Sequence, residues 1–106
     1  MNQQRFDQLL NDLFEEKKTV LGAKAGEYAT DSDRLHNFKV AAALQGCTPE
    51  TALIGMWAKH VVSVVDLVKK LENGYHTPMA VWKEKIGDSS NDLDLLMGLL
   101  LDRASR

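Results

Sequence analysis

The chain has 106 residues, 44% hydrophobic and 26% charged, which is enough for one domain with a real core and too apolar for disorder. Its 13 Lys and Arg against 15 Asp and Glu give a net charge of −2, so there is no excess to hold a polyanion and nucleic acid is set aside as a main partner. Cys47 is the only cysteine, which rules out an internal disulfide, argues against a zinc framework and suits a reducing compartment.

The first stretch, MNQQRFDQLLNDLFEEKK, lacks a basic-then-apolar signal pattern, and no apolar run approaches the ~20 residues a membrane span needs. A cytoplasmic protein, with no membrane contact and a single helical domain over residues 1–106, is expected. Phe6, Leu9, Leu10, Leu13, Phe14, Val20 and Leu21 recur at three- and four-residue spacing, which predicts an amphipathic helix over about 3–21. Gly22 and Gly26 then loosen the chain, and KAGEYATDSD reads as an irregular segment with short helical pieces.

A second helix is expected after Asp31, Ser32 and Asp33, any of which could cap it, burying Leu35, Phe38, Ala41, Ala42 and Leu44 and ending at Gly46. Thr48-Pro49-Glu50 is a strong start signal: a hydroxyl cap, proline where its missing N–H is harmless, and an acid near the positive helix end. The third helix should reach about Leu71 and stop at Asn73-Gly74. Thr77-Pro78 repeats the same grammar and opens a fourth helix toward Asp102, with Gly87 as its weak point. No alternating strand pattern occurs, so the fold class is all-α, a compact bundle of about four helices.

Leu53, Met56, Trp57, Val61, Val62, Val64, Val65, Val68 and Leu71 cover most of the third helix, leaving only Lys59, Ser63, Asp66 and Lys70 as a polar wedge. One set of neighbours cannot cover so wide an arc in a small domain. A homo-oligomer, with the third and fourth helices packed across a subunit boundary, is therefore expected. Trp57 and Trp82 read as core or interface anchors.

Three groups of polar residues could do chemistry. In EKIGDSSND, helical spacing puts Glu84, Asp88 and Asn91 in one stripe, with two hard oxygen ligands one turn apart that suit Mg²⁺. The structural reading of that stripe is a solvated face lying opposite Ile86, Leu93, Met97 and Leu100. On the third helix, Lys59 could hold phosphate and Asp66 complete a metal shell, or both could be its wet side. His60, inside the apolar arc, reads mainly as a packed, hydrogen-bonded core residue. Lys24, Glu27 and Tyr28, with His36, Asn37 and Phe38, could sandwich a base or could simply cap and pack. There is no Gly-rich phosphate loop, nucleophile elbow or HExxH.

Four segments in order, KAGEYA, DRLHNF, TPETALIGMWAKHVVSVVD and EKIGDSSND, resemble a family of small phage and prophage proteins of Gram-positive bacteria. That family is similar to the nucleotide modification associated domains and, more remotely, to the MazG-like all-α nucleotide pyrophosphohydrolases. The resemblance spans about residues 20–102 and implies an oligomeric nucleotide-binding fold whose acidic residues, on two adjacent helices, hold Mg²⁺ against nucleotide phosphates. The wider group's enzymes release pyrophosphate from nucleoside triphosphates by metal-assisted attack of water.

Under the resemblance, Glu84 and Asp88 match the acidic motif of the last helix, and Lys24 and Tyr28 the Lys and Tyr of the loop. Asn37, Lys59, Asp66 and Asn91 match polar positions of the phage family. Two departures stand out. The MazG-like E-x-x-E pair is reduced to Asp66, with Lys59 and His60 where further acids would stand, and Asp92 replaces an aromatic residue. The resemblance thus implies Mg²⁺ held by Glu84, Asp88 and Asp66, and a nucleotide met by Lys24, Tyr28, Asn37, Lys59 and Asn91. Its alternative is a non-enzymatic phage accessory protein that binds a host protein or sequesters a signalling nucleotide.

Overall fold

The computed structural model describes residues 1–28 and 33–105, with side chains described outside 23–28. Four helices follow in order: α1 (Gln3–Tyr28), α2 (His36–Gln45), α3 (Pro49–Glu72) and α4 (Met79–Ala104). The class is all-α, as the absence of any strand pattern predicts. By its contacts the chain divides into two compact units, Met1–His36 and Asn37–Arg106.

In the first unit α1 runs on past Leu21 to Tyr28, so Gly22 does not end the helix as expected. Gly22 has open space around it, and its flanking residues are good enough helix formers to carry the roughly 1 kcal/mol a mid-helix glycine costs. The expected irregular segment is therefore helical as far as Tyr28, while residues 29–32, including the expected caps Asp31 and Ser32, lie outside the described residues. Asp33 does act at a chain reversal: its Oδ1 accepts from the Leu35 N–H at 3.0 Å and its carbonyl from the His36 N–H at 3.2 Å.

The second unit is built on an α3/α4 hairpin. The start of α3 follows its sequence signal: Thr48 Oγ1 accepts from the Thr51 N–H at 3.2 Å, Pro49 is the first helical residue and Glu50 sits in the first turn. Both α2 and α3 end in the same way. Gly46 (φ 68°) and Gly74 (φ 83°) take the left-handed conformation, and the N–H groups of Cys47 and Tyr75 reach back to the carbonyls of Ala42 and Lys70 at 3.0 and 2.9 Å.

Thr77-Pro78 behaves differently. Pro78 occupies the cap position of α4 with no side-chain cap bond, and the Thr77 hydroxyl is buried without a partner. A proline at the cap has already fixed the entry angle, so the threonine lies one residue too early to reach the first free N–H groups. Gly87 leaves α4 unbroken.

Two side-chain contacts set the hairpin. Arg103 donates to Glu50 through Nε at 2.8 Å and a terminal nitrogen at 2.7 Å, at the end where α3 begins and α4 finishes. Those bonds raise the Arg103 pKa above its ordinary value. His60 meets Asp92 halfway along. These contacts are antiparallel and nearly constant in register. Leu53, Leu67 and Leu99 are buried in this unit together with Ala42 and Ala52, and Lys39 of α2 reaches Asp102 of α4 at 3.0 Å. Leu44, expected in the core, is instead 83% exposed at the end of α2.

By length and composition α3 is long and apolar enough to cross a membrane, which corrects the expectation that no segment approaches that length. Its polar wedge and its hydrogen-bonded His60 fit a helix packed against protein. The two threonines give a direct check on the caps. Thr48→Ala should lower stability by about 1 kcal/mol, whereas Thr77→Val, which removes a stranded hydroxyl at constant shape, should leave it unchanged or raised. Urea unfolding of both variants measures this, and equal losses would contradict the assignment.

Candidate functional site

The seam between α3 and α4 carries a polar layer. The Nδ1 of His60 donates to Asp92 Oδ2 at 2.8 Å, and Asp92 is 6% exposed. This contact fixes which ring edge is committed: Nε2 is the remaining nitrogen of a ring that is about one-third exposed. A carboxylate withdrawn from water is tolerated because it is hydrogen-bonded. Asn91, beside it, is 8% exposed, and its Oδ1 is buried with no hydrogen-bond partner. Asp88, one turn earlier than Asp92, is half-buried.

The solvated-face reading of EKIGDSSND fits Glu84, which is exposed, and does not fit Asn91, which is buried. Ile86, Leu93, Met97 and Leu100, expected on the inner side, are 44–55% exposed, while Asp88, Asn91 and Asp92 are drawn toward the seam. The segment LDLLMGLLL is apolar on nearly every side, so α4 can bury Leu95, Leu96 and Leu99 instead, and the His60–Asp92 bond selects that rotation.

Turning each helix by about 100° per residue from the His60–Asp92 contact places the remaining residues. In an antiparallel pair, residues turned the same way from the seam come to the same side of the hairpin. Lys59, Ser63, Asp66 and Lys70 of α3 fall on one side, and Glu84, Asp88 and Asn91 of α4 fall on that same side. By register Asp88 stands level with Val64, between Ser63 and Asp66, and Lys59 stands about two residues from the level of Asn91, roughly 3 Å along the axis. The Ser63 hydroxyl is turned back onto the Lys59 carbonyl at 3.2 Å.

The expected ligand residues differ in access. Lys59, Asp66 and Glu84 are exposed, Asp88 is half-buried and Asn91 is buried. Among the described residues no three of His, Cys, Asp and Glu gather closely enough to hold a metal, so Glu84, Asp88 and Asp66 do not form a closed cage within one chain. Asp66 turns farther from the seam than Asp88, which accounts for the gap. As hard oxygen donors they still suit Mg²⁺, which commonly takes one or two carboxylates and fills its shell with water and substrate phosphates.

Asn37 is exposed near the start of α2, and the side chains of Lys24 and Tyr28 lie outside the described residues. Sequence reasoning treated Asp92 only as a departure from a pattern. The signal that could have found it is the pairing of a lone polar residue on each of two apolar faces, His60 and Asp92. No known protein family, curated protein or solved structure matches the chain.

The seam bond has a measurable value. His60→Ala and Asp92→Ala should each lower stability by about 1–3 kcal/mol, because each removes from the seam a hydrogen bond to a charged group. The double variant should lose about 1–2 kcal/mol less than the two single losses combined. Urea unfolding at one fixed protein concentration gives the cycle, and strictly additive losses would contradict direct coupling.

Proposed function

We propose that the chain is a cytoplasmic nucleotide-binding protein that takes a nucleoside phosphate together with Mg²⁺ on the polar side of the α3/α4 hairpin. The observation that carries this reading is the concentration of Asp88 and the unpartnered amide oxygen of Asn91 on the side that also bears Lys59 and Asp66. Burying an amide oxygen without a partner costs about 1–3 kcal/mol, and a bound donor would relieve that cost. The resemblance of EKIGDSSND and TPETALIGMWAKHVVSVVD to the phage family and its MazG-like relatives supports the same choice of ligand.

In this reading Glu84 and Asp88, with Asp66, hold the metal, which neutralises phosphate charge. Lys59 contributes a point charge to the phosphates, and Asn91 and Asn37 meet base or sugar. The proposal is confined to residues of the second unit. His60 is committed to Asp92 through Nδ1, so it positions α4 against α3, and hydrolysis to a monophosphate and pyrophosphate would need a base from elsewhere in the bound complex.

Calorimetric titration of the full chain with a panel of nucleoside triphosphates, with and without Mg²⁺, tests the reading. Binding should require Mg²⁺ and weaken at least tenfold in Asp88→Ala, while Leu44→Ala, a change at an exposed residue of α2, should bind as wild type does. Absence of binding, or equal affinity in Asp88→Ala, would overturn it.

A second reading, a non-enzymatic phage accessory protein that binds a host protein or sequesters a signalling nucleotide, is favoured by the breadth of exposed apolar surface on α3 and α4. A stoichiometric host partner retained by a chain lacking both the Glu84 and Asp88 carboxylates would select it.

A further inference from the structure

The side of the hairpin away from the polar residues is ordered in a different way. Val61, Val65 and Val68 on α3 are spaced four and three apart, and Leu93, Met97 and Leu100 on α4 repeat that spacing. Ile54 lies one heptad before Val61, and Ile86 one heptad before Leu93. Turned from the His60–Asp92 contact, both rows fall on the same side and lie next to each other. All but half-buried Val61 are 40–55% exposed.

Two parallel-lying heptad rows form the pattern of ridges that accepts knobs from other helices, not the featureless apolar band of a helix lying in lipid. Together these side chains expose on the order of 600–700 Å² per chain, close to the ~800 Å² per partner of a stable interface and above what a monomer ordinarily leaves open. A net charge of only −2 puts little repulsion between copies.

We infer that this face is the interface with a second copy of the chain: two α3/α4 hairpins pack face to face into a four-helix bundle. Each hairpin supplies two helices already antiparallel and in register, and the small crossing angle of such bundles suits rows spaced four and three. The polar sides then point outward on opposite surfaces of the dimer, so each copy keeps its own ligand face. The inference stands apart from the nucleotide reading, since it uses none of the same residues.

Light scattering coupled to size exclusion, on the full chain at tens of micromolar, tests it. Wild type should have twice the mass of one chain. Val65→Glu and Leu93→Glu should each fall to the mass of one chain with helical circular dichroism retained. Leu93→Ala, which removes bulk without adding charge, should raise the dimer dissociation constant at least tenfold, and it keeps the test decisive if the charged variants do not fold. Leu44→Glu, an exposed residue of α2 outside the rows, should stay dimeric.

A wild type at any mass other than two chains would overturn the inference, as would a dimer unaffected by Leu93→Ala. Loss of the dimer on Leu10→Glu in α1, with Leu93→Ala unaffected, would place the interface on α1. A monomeric wild type that floats with phospholipid vesicles would assign the face to a membrane.

Discussion

The hydrogen bond between His60 and Asp92 governs the second unit because it fixes the rotation of α4. From Leu93 to Leu101 that helix is apolar nearly all round, so packing alone would accept Leu95 and Leu99 inward or Leu93 and Met97 inward at similar gain. A carboxylate at Asp92 breaks the tie. Facing α3 it finds a ring N–H, and a rotation of a third of a turn would strand His60 in the seam without a partner. A buried polar pair of this kind contributes less to net stability than to the choice of one arrangement over its neighbours.

Once that rotation is set, the two faces of the hairpin follow. The polar residues of both helices come to one side and the heptad rows to the other, with the Glu50–Arg103 pair holding the register at the far end. The same constraint therefore organises the candidate ligand face and the candidate dimer face, although the residues of the two do not overlap. It also explains why so many large apolar side chains remain exposed: a core consisting of little more than one layer between two helices cannot bury both rows.

Much of the backbone plan was legible in the sequence because it rests on local chemistry. Thr48-Pro49-Glu50, Gly46 and Gly74 each act within a few residues of themselves, through caps and left-handed turns that no distant neighbour decides. The extent of α1 was not legible, since Gly22 is only mildly unfavourable in a helix and nothing crowds it. Thr77 misled for a related reason: its sequence grammar matched Thr48, but the chain enters α4 through Pro78 itself.

The candidate site was legible in composition and not in orientation. Spacing grouped Glu84, Asp88 and Asn91 on one stripe opposite Ile86, Leu93, Met97 and Leu100, yet could not say which apolar residues of α4 turn toward α3, because its periodicity offers two apolar faces and only a tertiary contact chooses between them. Asp92 looked like a flaw in a motif for the same reason. Its partner lies 32 positions away, beyond the reach of any local pattern.

An isotope-filtered nuclear Overhauser experiment, on a mixture of labelled and unlabelled full-length chain, tests the rotation of α4 most directly. The account predicts intrachain contacts from the His60 ring to the Asp92 β protons, and contacts between chains from the methyls of Leu93 and Met97. Intrachain contacts from the Leu93 and Met97 methyls to Leu53 or His60, with Asp92 in water, would contradict it.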